Sequence, residues 1–113
     1  MRRWQVTRVP GCVTLSRPGR ARFDVSAAAA FPQLRPVVLA HEIRKDLWRM
    51  LQDLRGFSPV VEIRDAGPGL EVRAGGALPG GTRPAPGTGE RIEGLLADPD
   101  KRARWIAHAR LKC

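Results

Sequence analysis

Alternating apolar and polar side chains in the first quarter of the chain predict three short β-strands. These segments are residues 3–9, 12–16 and 20–25, and the third alternates most regularly, with Phe23 on one face and Arg22 on the other. A period of two residues is typical of strands that bury one face. Because short turns containing Pro and Gly separate the segments, we expect neighbouring strands to pair as an antiparallel meander.

Apolar positions three and four residues apart then predict a helix from Pro36 to Leu54. The apolar stripe consists of Leu39, Ala40, Ile43, Leu47, Met50, Leu51 and Leu54. This spacing places the whole stripe on one helix face. Pro36 suits the first helical position, and Gly56 suits the stop. Before this helix, residues 26–30 are expected to form a short turn that Pro32 closes.

A hairpin, a loop and two helical segments are predicted for the second half of the chain. The hairpin strands cover residues 58–64 and 70–74. Residues 75–89 are expected to be a loop, because nine of these fifteen residues are Gly or Pro. Helical patterns follow at residues 90–97 and 99–112. The Asp-Pro-Asp sequence between them is typical of a new helix start.

These elements predict a single α+β domain over residues 1–113, in the order β-β-β-α-β-β-α. We expect a small antiparallel sheet with the helices packed on one face and the other face partly in solvent. The stripe of the long helix should pack on the sheet, because neither element is stable alone in water. The sheet side of this core is expected to consist of Phe23, Val61, Ile63, Leu70 and Val72.

Positive charge is concentrated at the two ends of the chain. Residues 1–22 contain six Arg, residues 101–113 contain five Lys and Arg, and neither segment contains an acid, while the formal net charge is +9. If the fold brings the two ends together, they form one positive surface of the kind that attracts nucleic acid. The candidate nucleic-acid-binding residues are Arg2, Arg3, Arg8, Arg17, Arg20, Arg22, Lys101, Arg102, Arg104, Arg110 and Lys112.

Two parts of this candidate set have alternative explanations. Arg20 and Arg22, at alternate positions of an exposed strand face, could follow phosphates, or could simply solvate that face and protect the strand from edge pairing. The C-terminal mixture of cations with Trp105 is typical of proteins that stack bases on aromatic rings. Trp105 and Ile106 as core anchors of the last helix explain the same pattern.

The composition indicates a bacterial, cytoplasmic protein. Arg outnumbers Lys by seventeen to three, as expected of a GC-rich genome. No apolar stretch is long enough for a transmembrane helix, and charges occupy the N-terminus where an export signal needs an apolar core. We therefore expect no membrane partner, and we expect Cys12 and Cys113 to be free thiols.

No motif specifies an enzyme, a metal site or a cofactor. The cysteines lack C-x-x-C spacing, and the Gly-rich segment 75–89 lacks the G-K-[ST] ending of a phosphate-binding loop. Glu62 and Glu71 fall on facing hairpin strands and could form an acid–base pair, although Arg64 and Arg73 on the same strands offer neutralising partners. We expect a non-enzymatic protein with no metal, no cofactor and no small-molecule substrate.

Two functions from different classes fit these observations. The first is electrostatic binding of DNA or RNA by the basic ends, where about five phosphate contacts would give a log–log salt slope near −4 to −5 on duplex DNA. The second is an interaction or regulatory subunit whose basic ends dock on an acidic partner surface. The charged helix face from Glu42 to Asp53 and the segment 75–89 are further contact candidates for the second function.

Overall fold

The computed structural model describes residues 3–80 and 82–111. The elements, in chain order, are β1 (Gln5–Val9), β2 (Cys12–Ser16), β3 (Val25–Pro32), α1 (Pro36–Leu51), β4 (Ser58–Asp65), β5 (Gly69–Ala77), α2 (Thr88–Ala97) and α3 (Pro99–Ala109). The five strands form one antiparallel sheet in the order β1-β2-β4-β5-β3. The predicted α+β class is confirmed.

The helices cover one face of this sheet. α1 packs across β2, β4 and β5, α2 packs on β3, and α3 packs against α1. The hairpin register pairs buried Ile63 with Val72 on the covered face. On the other face, it sets Glu62 opposite Arg73 and pairs Arg64 with the second glutamate of the hairpin. The acids of the hairpin on this outer face therefore have basic neighbours across the strands.

The predicted core forms with two changes. The predicted residues that are buried are Leu39, Ala40, Ile43, Leu47, Leu51, Val61, Ile63, Leu70 and Val72. Met50 and Leu54 are only half-buried, and Leu54 lies beyond the end of α1 at Leu51. Phe31 takes the core position predicted for Phe23. Phe23 is half-buried instead, with its ring centroid 4.2 Å from the guanidinium carbon of Arg73, a residue of the outer face.

The prediction of a third strand at residues 20–25 is wrong, as is that of a turn at 26–30, because β3 occupies Val25–Pro32. Alanine is depleted in strands, so the four consecutive alanines of this segment argue against a strand by propensity alone. Pairing with β5 supplies their backbone hydrogen bonds, and their small side chains let α2 pack directly on β3. Tertiary contacts therefore override local propensity.

The predicted three-stranded meander is also wrong, because β2 pairs with β4 and β3 pairs with β5. Residues 17–24 instead cross the ends of β4 and β5 to reach the far edge of the sheet. Arg20 and Arg22 therefore lie on this crossing loop and not on an exposed strand face. A loop of this length, at about 3.3 Å per residue, easily spans three strand spacings of about 4.8 Å.

Gly75 and Gly76 belong to β5, so the predicted loop is shorter than residues 75–89 at both ends. A Cβ atom on Gly75 would collide with the backbone carbonyl of Val25, and one on Gly76 would collide with that of Ser58. The two glycines therefore serve the close approach of neighbouring strands.

The two C-terminal helical segments and the new helix start between them are confirmed. The Asp98 carboxylate accepts hydrogen bonds from the backbone N–H groups of Asp100 at 2.9 Å and Lys101 at 3.1 Å. α3 ends at Ala109, short of the predicted end at residue 112. Trp105 is fully buried, which confirms its role as an anchor. In the described part of the chain, no helix has both the length and the apolarity to cross a membrane.

Candidate nucleic-acid interface

Two arginines and two tryptophans stack against each other between the start of β1 and α1. The guanidinium carbon of Arg17 lies 5.1 Å from the ring centroid of Trp4 and 5.6 Å from that of Trp48. The guanidinium carbon of Arg44 lies 4.5 Å from the Trp4 centroid. Cations are attracted to the negative faces of aromatic rings. Trp4 thus holds two positive charges close together.

This concentration of charge affects the groups around it. Burial, and then the charge of Arg17, lowers the pKa of Arg44. Burial, and then the charges of Arg44 and Lys45, lowers the pKa of His41 below its ordinary value. Neutral His41 accepts a hydrogen bond from Arg44 through Nδ1 at 3.0 Å. A bound anion would relieve the repulsion between these cations.

A basic cleft of about 450 Å³ opens beside this stack, between the crossing loop and the chain that follows α1. Its volume falls in the range of roughly 300–1,000 Å³ that is typical of ligand pockets. Arg17, Arg20 and Arg55 line it, and all three are exposed. The other lining residues, none of them acidic, are Pro18, Trp48, Gln52, Leu54, Gly56, Phe57 and Ser58.

Among the described residues, the arginines of the basic cleft have no acidic partner, and one hydroxyl group of its lining has no hydrogen-bond partner. Among residues 3–80 and 82–111, Arg17, Arg20 and Arg55 form no ion pair. The hydroxyl of Ser58 has no hydrogen-bond partner, although this residue is only 3% exposed. An unpaired buried hydroxyl costs about 1–3 kcal/mol. The cleft therefore combines uncompensated positive charge with an unused hydrogen-bonding group.

Arg22, by contrast, is used to fix the end of the crossing loop. The Asp24 carboxylate accepts a hydrogen bond from the Leu78 N–H at 2.7 Å, and Arg22 lies 3.1 Å from the same oxygen. Arg22 also donates to the carbonyl of Leu78. The Leu78 hydrogen bond and then that of Arg22 lower the pKa of Asp24 below its ordinary value. Arg22 is therefore a structural residue whose charge is already paired.

Replacing Asp24 by Asn should destabilise the protein at pH 7, and this loss should shrink in acid. Because the folded pKa of Asp24 lies below the ordinary 3.8, its charge contributes stability above pH 3.8, and that contribution is lost as the pH falls through the folded value. Urea unfolding of wild type and Asp24→Asn at neutral pH and at low pH measures this difference. An equal loss at both pH values would contradict this role of the charge, and exposed Asp53→Asn is the matched control.

The C-terminal candidate Arg102 holds α3 onto the rest of the fold. It donates hydrogen bonds to the carbonyls of Leu96 at 3.0 Å and Ala30 at 2.8 Å. Its guanidinium carbon also lies 3.9 Å from the ring centroid of Phe31. These contacts join α3 to the end of α2 and to β3. The charge of Arg102 is thus directed at backbone carbonyls within the protein.

Arg104 contacts a nearly buried carboxylate on α1. Asp46, which is 7% exposed, pairs with Arg104 and accepts a hydrogen bond from the indole N–H of Trp105 at 2.7 Å. Arg49 lies 3.4 Å from its other oxygen. A buried carboxylate is stable only when paired and hydrogen-bonded, as it is here. The polar spacing along α1 places Asp46 on the exposed face of the helix, so its burial is not predictable from the sequence.

Glu42 makes a second contact between α1 and α3. It lies 2.8 Å from His108 Nδ1 and 2.9 Å from Lys45 Nζ. Burial opposes its ionisation, but the hydrogen bonds from Lys45 and His108 outweigh burial and hold its pKa below the ordinary value. The small cleft between these helices thus has acids as well as bases in its lining. In the described ranges, no cluster of three or more His, Cys, Asp and Glu side chains is arranged to hold a metal.

The two basic ends of the described chain lie on opposite sides of α1. Arg17 meets the side that carries Arg44 and Trp48, whereas α3 meets the side that carries Glu42 and Asp46. Their described contacts therefore do not join them into one surface. Among the remaining candidates, Arg3, Arg8 and Arg110 are exposed and Lys101 is half-buried, while Arg2 and Lys112 lie outside the described residues.

Four contributors to this site were not among the predicted residues: Trp4, Arg44, Trp48 and Arg55. Arg55 follows α1, and Arg44 and Trp48 lie one turn apart at the edge of its apolar stripe. The only available signal was the position of Trp48 at that edge, because a large aromatic there must be partly exposed. The contact with the crossing loop depends on the sheet order, which no local sequence pattern indicates.

No family model matches the chain, and neither a curated protein nor a solved structure matches it. Functional inference therefore rests on the side chains themselves.

Proposed function

We propose that this protein binds nucleic acid electrostatically, with no catalytic role, through the basic cleft and the arginine–tryptophan stack beside it. The observation that carries the proposal is the group of Arg17, Arg20 and Arg55, which line one concave surface without an acid and without an ion pair among the described residues. Arginine forks match the geometry of phosphate oxygens, which they bind with paired, charge-assisted hydrogen bonds.

The neighbouring stack strengthens this attraction. Arg44 and Arg17 share the ring of Trp4, so their positive potential adds to that of the cleft. Clefts lined by one sign of charge focus the field and raise the local concentration of oppositely charged ligands. Nucleic acid, with its regularly spaced phosphates, is the ligand that such a surface suits.

The residues expected to contact nucleic acid differ from those expected from the charge pattern alone. Arg17 and Arg20 keep this role, and Arg55 and Arg44 join them. Arg22, Arg102 and Arg104 are better explained by their contacts within the fold. A bacterial cytoplasmic location, as the composition indicates, would place the protein where DNA and RNA are accessible.

Replacing Arg17, Arg20 and Arg55 together by Ala should lower the affinity for a mixed-sequence oligonucleotide about 100-fold at low salt. Three lost contacts of roughly 1 kcal/mol each add up to about 3 kcal/mol, which corresponds to a factor of about 100 in Kd. Fluorescence anisotropy of a labelled oligonucleotide measures the loss. The matched control replaces exposed Arg8, Arg83 and Arg110, which removes the same charge elsewhere and should cost much less affinity. Equal losses in the two triple variants would contradict a site at the cleft.

The ratio of ultraviolet absorbance at the nucleic-acid maximum to that at the protein maximum separates nucleic-acid binding from docking on an acidic protein. We expect co-purifying nucleic acid that high salt removes. Capture of partners that survives nuclease treatment, together with no oligonucleotide binding, would instead favour docking on an acidic protein surface.

A further inference from the structure

We propose that the basic cleft receives unpaired nucleotides, so that the protein prefers single-stranded nucleic acid to duplex. This inference rests on the proposed function and names the form of nucleic acid that the cleft fits. The arginines and Trp48 are the groups that carry it.

The concave shape of the site favours a single strand. The cationic groups line a concave space of about 450 Å³ and do not project from a ridge or an exposed helix. A duplex presents its phosphates on a broad, stiff rod, and it is read by elements that protrude into its grooves. A single strand can bend one nucleotide into a cleft of this size. Concavity therefore favours the flexible form.

Flat side-chain groups at the cleft wall also favour a single strand. Trp48 is half-buried and lines the cleft, and the Arg17 guanidinium lies over its ring. Single-strand binders hold unpaired bases by stacking on aromatic rings and on guanidinium planes. Duplex bases are already stacked on each other, so a duplex gains nothing from these surfaces.

The Arg17 guanidinium is already positioned in the free protein. Arg17 contacts Trp4 and Trp48 before any ligand arrives, which reduces the side-chain entropy lost on binding. Phosphate and base would thus each meet a suitable group, because the arginines can hold the phosphate and Trp48 can stack on the base.

The test compares a labelled single strand with a blunt duplex of the same length, at about 50 mM salt, using wild type and two variants at Trp48. We expect wild type to bind the single strand at least fivefold more tightly. Trp48→Leu should reduce single-strand affinity at least fivefold, as loss of one base stack does, and should leave duplex affinity nearly unchanged. Trp48→Phe retains an aromatic face and should keep most of the preference.

Each outcome is decisive. Equal wild-type affinities for single strand and duplex would overturn the single-strand preference and leave nucleic-acid binding intact. An equal loss for both ligands in Trp48→Leu would also overturn it, because Trp48 would then act only by positioning Arg17. Binding of neither ligand would overturn the proposed function itself. The wild-type comparison stands even if a Trp48 variant fails to fold.

Discussion

Replacing Asp46 by Ala should destabilise the protein by about 1–4 kcal/mol, the sum of an unsatisfied buried donor and a partly screened ion pair. The indole N–H of fully buried Trp105 would lose its acceptor, which costs about 1–3 kcal/mol for an unsatisfied buried donor. The pairing of Arg104 with the same carboxylate would be lost as well, although solvent screens part of this charge. Because these contacts join α1 to α3, we expect the C-terminal helix to detach first. Urea unfolding measures the loss.

Two comparisons isolate this effect. Asp53→Ala removes an exposed carboxylate just beyond the same helix and should change stability by about 0.5 kcal/mol at most. Asp46→Asn retains an oxygen for the Trp105 N–H but not the charge, so its cost should fall between the other two. A loss for Asp46→Ala as small as that for Asp53→Ala would mean that the contacts of α3 do not depend on this carboxylate.

Leu47→Ala should cost roughly 2–5 kcal/mol of unfolding free energy. Leu47 is fully buried in the middle of the α1 stripe, so its truncation leaves a cavity in addition to the lost transfer free energy. This is a large part of the ~5–15 kcal/mol that typically stabilises a domain. Thermal or urea melts give the value.

Leu111→Ala makes the same chemical change at a residue that is 52% exposed, and it should cost less than about 0.5 kcal/mol. The loss of unfolding free energy for Arg22→Ala should also be well below that for Leu47→Ala. It should not be zero, because Arg22 forms an ion pair with Asp24. Equal losses for Leu47 and Leu111 would mean that the helix stripe is wrongly assigned.

The parts of the fold that the sequence predicts are those where a local pattern has one structural solution. The apolar stripe of α1, the β4–β5 hairpin and the start of α3 at Asp98 and Pro99 are examples. The errors arise where a long-range contact decides the outcome. The alanine run of β3 is a strand because of β5 and α2, and Gly75 is a strand residue because Val25 passes so close.

The candidate site was only partly predictable for the same reason. Arg17 and Arg20 could be chosen from the charge pattern, but nothing local indicates that Arg55 lies opposite them. Net charge also cannot separate a free arginine from one such as Arg102, whose donors are taken by backbone carbonyls. That distinction requires the three-dimensional contacts.

The salt dependence of oligonucleotide binding tests the central claim most directly. Each phosphate contact on a single strand contributes about −0.7 to the slope of log affinity against log salt. Wild type and the Arg17, Arg20, Arg55 triple variant should therefore differ by about 2 in this slope, while the Arg8, Arg83, Arg110 control should remain close to wild type. Parallel salt curves for wild type and the cleft variant would contradict the account, since the cleft arginines would then hold no phosphate.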